Sequence, residues 1–291
     1  MARLAESPFA RCRFTVLDNH STDDTPQVCT RFRSWFPDFH VVRHVRNIGA
    51  NPNYLRAVEG ARAPYTWVLA DDDEFDFSDC DDVIAAIEEG EVDLISVGAP
   101  ARQGWAPGRT SMGALVAQRA RVFFVFTFMP NTIFRTQLFD DASFSEGYRL
   151  VDALYPHFPF VRRQVERDAS LHVSQGEIVI RGGKTVPGSE LYWFERWVRC
   201  CATIADRSLR HSAIYETRDS RARWLGWLSV SVAQERLHFP ERVWHELTSL
   251  AMVLRGEQLM ALVLVAPLAL VPQGLYAQLK ALRGRLSTLA G

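Results

Sequence analysis

Between residues 13 and 98, short apolar runs alternate with stretches of helical spacing. Residues 13-RFTVLDN-19 read as a buried strand ending in polar residues. Residues 24-DTPQVCTRFRSWF-36 read as a helix, with Asp24 or Thr25 as cap and Pro26 where a first-turn proline is tolerated. The alternation continues: strand 39-FHVVRHV-45, helix 51-NPNYLRAVEGAR-62 with Asn51 as candidate cap, strand 65-YTWVLA-70, helix 79-DCDDVIAAIEEG-90 ended by Gly90, and strand 92-VDLISVG-98. Strand–helix alternation with short loops predicts an α/β fold, a mostly parallel sheet flanked by helices.

The second half is less regular. Residues 121-RVFFVFTFMPNTIFR-135 are strongly apolar, and 190-ELYWFERWVRCCATIAD-206 have the spacing of an amphipathic helix. From about residue 222 the pattern is helical, with no strand signal. Three regions are expected: a donor-binding half over 1–98, an acceptor-binding half of the same domain over 99–220, and a helical region over 221–291.

Composition narrows the class. The 291 residues are 47% hydrophobic and 23% charged, with net charge −1, so nothing global points to nucleic acid. Five cysteines without CxxC or Cys/His spacing argue against a structural zinc site and a disulfide framework. A reducing, cytoplasmic compartment fits best. The first residues show no apolar signal region, and the longest apolar stretch, 259-LMALVLVAPLALV-271, is short for a membrane span and contains Pro267. It is followed by Lys280, Arg283 and Arg285 with little acid, a pattern suited to an anionic membrane surface, and Trp224, Trp227 and Trp244 are candidate interfacial anchors. An ordinary packed helix is the competing reading.

Chemistry gathers at the strand ends. In an open parallel sheet, ligands bind beyond the carboxyl ends of the strands. Those ends carry Asp18-Asn19, then 47-NIGAN-51, then Asp71-Asp72-Asp73. Three aspartates at the end of a buried strand repel one another unless something positive binds there.

Three motifs carry a resemblance. Residues 16-VLDNHSTDDT-25, 47-NIGANPNYLRAVEGA-61 and 65-YTWVLADDDEF-75 resemble, in order and spacing, the motifs of family-2 glycosyltransferases of the nucleotide-diphospho-sugar transferase (GT-A) fold, with weaker similarity in 128-FMPNTIFRTQLF-139. The resemblance implies a Rossmann-like GT-A fold and a D-x-D pair, Asp71 and Asp73, holding Mg²⁺ or Mn²⁺ against the donor diphosphate. It places Asp72 by the ribose or sugar and Asp18 by the nucleobase. Asn19, Asn47, Gly49 and Asn53 fall on the donor side, with Asn53 equally readable as a surface helix residue. Ser21 and Asp23 are expected to shape the turn and cap the next helix. For the catalytic base the first candidate is Asp152 and the second Glu146; His157 is the candidate for acceptor binding.

One departure stands out. Members of the family begin with a strand of the form V-S-V-I-I-P-x-Y-N, and 1-MARLAESPFARC-12 resembles the tail of the helix that follows it. Loss of that strand would expose neighbouring backbone edges. The expected function is transfer of a sugar from a nucleotide-diphosphate donor to a glycan or lipid-linked acceptor hydroxyl, inverting and metal-dependent, in bacterial cell-surface polysaccharide assembly. The expected place is cytoplasmic, with a possible peripheral contact at the inner face of the plasma membrane and a possible homo-oligomer. The competing reading is a truncated, inactive homologue that binds nucleotide or protein. A nucleotidyltransferase would want a glycine-rich basic loop after its first strand, and none is visible.

Overall fold

The computed structural model describes residues 1–98, 104–180, 190–216, 221–272 and 274–275. They fall into two units, Met1–Gly183 and Lys184–Gly291. The division precedes the boundary expected near residue 220, because helix Glu190–Cys201 packs with the helices that follow it.

The described residues of the first unit carry nine strands: β1 (Phe14–Asp18), β2 (Phe39–Arg43), β3 (Tyr65–Trp67), β4 (Glu74–Phe75), β5 (Leu94–Ser96), β6 (Gly108–Ser111), β7 (Thr132–Arg135), β8 (Ser170–Val173) and β9 (Val179–Ile180). A central sheet runs in the order β3-β7-β5-β8-β6. Only its β5–β8 pairing is parallel; β3–β7, β5–β7 and β6–β8 are antiparallel. The α/β class and the C-terminal helical region agree with the sequence, but the central sheet is mixed rather than mostly parallel. The causes are β7, from the apolar 121–135 segment, which slots between β3 and β5, and β6, which runs antiparallel to β8 at the other edge.

Strands β1 and β2 pair in parallel and form a sheet of their own. The Phe14 amide reaches the Asp38 carbonyl at 2.8 Å and the His44 amide reaches the Asp18 carbonyl at 2.9 Å, so even-numbered residues of β1 face β2. The backbone groups of Thr15 and Leu17 therefore point to the opposite edge. There Asn53 Nδ2 donates to the Leu17 carbonyl at 3.3 Å. At its own edge, β3 ends the central sheet. Among the described residues no ladder joins β1 to β3, yet Phe14 and Val16 pack against the same core as Tyr65 and Trp67. Aromatic pairs fasten this corner: Phe14 stacked on Phe36 with centroids 4.8 Å apart, and Phe9 edge-on to Trp67 at 5.2 Å. Each such side chain contributes about 1.5–3 kcal/mol by burial, so side-chain packing holds what backbone pairing does not.

Helix boundaries moved where side chains found other partners. Asp24 holds the N-cap position of helix Thr25–Phe32, as one reading expected, but its side chain makes no cap bond; Asp23 Oδ1 accepts from the Thr25 amide at 3.0 Å and hydroxyl at 2.6 Å instead. Helix Ala50–Glu59 begins at Gly49, and Asn51 is not its cap. Strand β3 stops at Trp67, well short of the aspartates. Helix Asp81–Glu89 ends as expected at Gly90, in the left-handed conformation (φ +67°) that glycine adopts without strain.

The second unit is helical: Glu190–Cys201, Arg207–Tyr215, Arg221–His238, Val243–Val253, Gly256–Val265 and a 3₁₀ turn over Ala266–Leu270. Trp197, Trp224, Leu228, Val232 and Leu250 are buried in it. So are three carboxylates, Glu195, Glu235 and Glu246. Arg196 bridges Glu195 (2.6 Å) and Glu246 (2.7 Å), while Arg242 meets Glu235 at 2.6 Å. The Tyr192 ring lies under both guanidinium groups, at 3.8 and 4.9 Å. Among the described residues, no helix is long and apolar enough to cross a membrane.

Candidate active site

The loops after β1 and β2 are sewn together by side chains. Asn19 Nδ2 donates to Asn47 Oδ1 at 3.0 Å, and Asn19 Oδ1 accepts from the Ile48 amide at 2.9 Å. Asn47 Oδ1 also accepts from the Gly49 amide at 2.9 Å. Gly49 then turns the chain into helix Ala50–Glu59 at φ +88°, a conformation that costs any other residue strain. This clasp fixes two of the three polar strand ends against each other.

Asp18 is the anchor beneath the clasp. It is 3% exposed. Its Oδ1 accepts from the Ser21 amide at 2.7 Å and its Oδ2 meets Arg43 at 2.9 Å. Burial would raise its carboxyl, but the Ser21 amide and hydroxyl and the Arg43 guanidinium outweigh it and hold the group below the usual carboxylate range. Arg43 also donates to the Ser21 carbonyl at 2.7 Å. Asp18 is thus a charged brace for the turn, and little of it is open to a nucleobase. Asn53 is likewise engaged at both ends, with Oδ1 on His44 Nε2 at 2.9 Å and Nδ2 on the Leu17 carbonyl.

The aspartate cluster differs. Asp71 and Asp72 sit exposed on a turn, and Asp73 follows half-buried just before β4. Strand β4 pairs with β9, Glu74 opposite Ile180. The basic loop 181-RGGKTVPGSE-190, read from sequence as a candidate cover for the diphosphate, follows β9 directly; its residues 181–189 lie outside the described residues. Among the described residues, no group of three or more His, Cys, Asp or Glu is gathered to hold a metal with protein ligands alone.

The three acceptor-side candidates part company. Asp152 is exposed on the 3₁₀ turn Val151–Ala153. The Val151 carbonyl accepts from Asn51 Nδ2 at 2.5 Å, which ties this turn to the first residues of helix Ala50–Glu59. The turn closes at Leu154 with φ +67°, a left-handed conformation costing a branched residue about 1–2 kcal/mol. Glu146 is instead committed to Arg162 at 2.6 Å, and Arg162 also pairs with Glu166 at 2.9 Å. That ion-pair cluster makes it a poor base. His157 is a correction too: it is 5% exposed, bonded through Nε2 to the Phe126 carbonyl at 2.8 Å, with its ring edge-on to Tyr54. Burial lowers its pKa to about 4, so it is a neutral core residue.

The family model of glycosyl transferase family 2 matches residues 1–149. The chain belongs to that family. As a family-2 glycosyltransferase it transfers a sugar from a nucleotide-sugar donor. Solved structures agree on the fold. The crystal structure of S. aureus TarS 1-349 superposes with a TM-score of 0.57 at 14% identity, over 95% of this chain and 86% of that one. TarS 1-349 in complex with UDP-GlcNAc gives 0.56 at 16% identity, with the same coverage. At these identities the likeness establishes the GT-A fold. No curated protein sequence matches the chain.

Two contacts of the candidate site escaped the sequence reading. Arg43, which neutralises Asp18, lies inside the strand read over 39–45, and the pattern gives it no role there. Asn51, read as a helix cap, instead reaches Val151, and a contact between residues so far apart leaves no local signal.

Proposed function

We propose that this glycosyltransferase is metal-dependent and inverting, and that it serves bacterial cell-surface polysaccharide assembly. The observation that carries the reading is the contrast at the strand ends. Asp18 is buried and neutralised by Arg43, while beyond β3 Asp71 and Asp72 stand exposed with Asp73 half-buried beside them. Two carboxylates two residues apart suit Mg²⁺ or Mn²⁺, hard cations that take their remaining ligands from water and phosphate oxygens. That fits a site with no further protein ligands gathered around it among the described residues. When bound, such a cation supplies positive charge to the departing diphosphate.

The chain's own residues then have separate tasks. Asp71 and Asp73 hold the cation, and Asp72 faces the ribose or sugar. The Asn19–Asn47 clasp and Gly49 shape the wall along which the donor lies. Asp152 takes the proton from the acceptor hydroxyl. The acceptor oxygen bonds to the anomeric carbon from the face opposite the diphosphate, and the anomeric carbon–phosphate oxygen bond breaks. The acceptor is a glycan, free or lipid-linked, and the work is done in the cytoplasm at the inner face of the plasma membrane.

The test is turnover of a nucleotide sugar in Mn²⁺ or Mg²⁺, with the product anomer read by NMR. Inverted product that disappears with Asp152→Asn supports the reading; retained configuration contradicts it. A second reading, an inactive nucleotide- or protein-binding homologue, is favoured by one observation: β1–β2 and the central sheet are not joined by a ladder. Donor binding without turnover in either metal would select it.

A further inference from the structure

After Glu257 and Gln258 the helix Gly256–Val265 is wholly apolar, and half of that apolar stretch is bare. In Gly256–Val265 and the turn after it, Gln258, Leu262, Val265 and Ala269 face inward. On the other side Met260 is 61% exposed, Val263 57%, Leu264 68% and Leu270 69%, with Pro267 exposed between them. Positions 260, 263, 264, 267 and 270 recur at helical spacing, so they form one stripe and not scattered singles. A surface helix of a soluble unit normally turns charge outward; a contiguous apolar stripe turned outward is the mark of a covered surface.

The charge of the chain favours one cover. In the sequence no Asp or Glu follows Glu257, whereas Lys280, Arg283 and Arg285 do; these three lie outside the described residues. An aliphatic stripe followed by cations and no acid complements a surface that is apolar inside and anionic outside. We infer that the stripe Met260–Leu270 is a docking surface for an anionic lipid bilayer, entered in-plane and not spanned. It deepens the placement proposed above and does not depend on the donor site. Trp224 is not an anchor, being 1% exposed, and Trp227 donates its indole N–H to Glu190 and packs on Phe194. Trp244, 47% exposed, remains available.

The experiment is flotation of the full chain with phosphatidylcholine vesicles, with and without phosphatidylglycerol, at low and high salt. The chain is expected to float with the anionic vesicles and to be released by salt. Met260→Ser with Leu264→Ser should weaken partition at least about tenfold, since both side chains lose apolar burial. Lys280→Glu with Arg283→Glu and Arg285→Glu should abolish the preference for phosphatidylglycerol. Because the serine substitutions are at exposed positions, an unchanged melting curve shows that the variant is folded. A full chain that stays at the bottom with both vesicles overturns the inference, as does a serine variant that floats undiminished. Concentration-dependent self-association that the serine variant loses, without flotation, would assign the stripe to a second copy instead. Donor-induced stabilisation is measured on the same samples. Its absence beside intact flotation would count against the donor site alone, and its presence beside failed flotation against the stripe alone.

Discussion

The two units handle carboxylates in opposite ways. In the first, Asp71 and Asp72 stand exposed on a turn, with no arginine or lysine paired to either among the described residues. In the second, Glu195, Glu235 and Glu246 are buried, each beside an arginine. A buried carboxylate without a partner is expensive, so the helical unit carries its neutralising charge with it. An exposed cluster needs no partner to fold, and what it lacks a ligand can supply. The difference separates charges that hold the structure from charges proposed to bind a donor through a cation.

The sharpest way to break this contrast is to remove a charge from each unit. Asp73→Ala, with Asp71→Ala as its pair, should lower metal-dependent turnover at least about 100-fold, the scale of losing one electrostatic stabiliser of a leaving group. Steady-state rates beside an unchanged melting temperature would check this. Arg196→Ala should do the reverse. It leaves Glu195 and Glu246 buried without their shared cation and should cost about 3–5 kcal/mol of stability, read by urea unfolding of the helical unit.

Acid and base should also pull the units apart. His157 is neutral in the fold and takes up its proton only near pH 4. The unfolded chain protonates it near pH 6.5, so the first unit loses up to about 3 kcal/mol as pH falls through that window. Asp18 and Asp140, held below the usual carboxylate range, add to the loss at lower pH. Burial raises the carboxyls of Glu235 and Glu246 in spite of their arginines. Their folded forms keep the proton longer, so that contribution is full below the ordinary carboxylate range and fades as pH rises through the raised values. Unfolding of the full chain at pH 7 and pH 5, followed by tryptophan fluorescence and circular dichroism, should show the first transition weakening in acid and the second not. Coincident shifts of both would contradict the assignment. Glu235→Gln, which removes a buried charge and keeps the shape, should change stability at pH 7 by no more than about 1.5 kcal/mol. At the smallest scale, Gly49→Ala should cost about 1 kcal/mol at its positive φ and weaken donor binding without touching the helical unit.

Much of the first unit was legible because its motifs are local. The turn after β1, the Asn47–Gly49 entry to a helix and the aspartate cluster each lie within one short stretch, and the helix ending at Gly90 announces itself by its glycine. What stayed hidden depends on distance. The apolar run 121–135 has no period that separates strand from helix, so β7 and its place between β3 and β5 could not be foreseen. His157 and Glu146 looked like candidates because a sequence shows neither the Phe126 carbonyl that takes up the imidazole nor the Arg162 that takes up the carboxylate. Asp152 kept its candidacy through Asn51 and Val151, a contact no local pattern encodes.

The central claim is that the exposed aspartates hold a cation for a nucleotide-diphosphate sugar. Its most direct test is the thermal stability of the purified chain with and without Mn²⁺, against UDP-, GDP-, CMP- and dTDP-linked sugars. A ligand that binds only the folded state raises its stability by mass action. The account predicts a shift with one nucleotide class that requires Mn²⁺ and vanishes in Asp73→Ala. A shift that needs no metal, or one that survives Asp73→Ala, would contradict it.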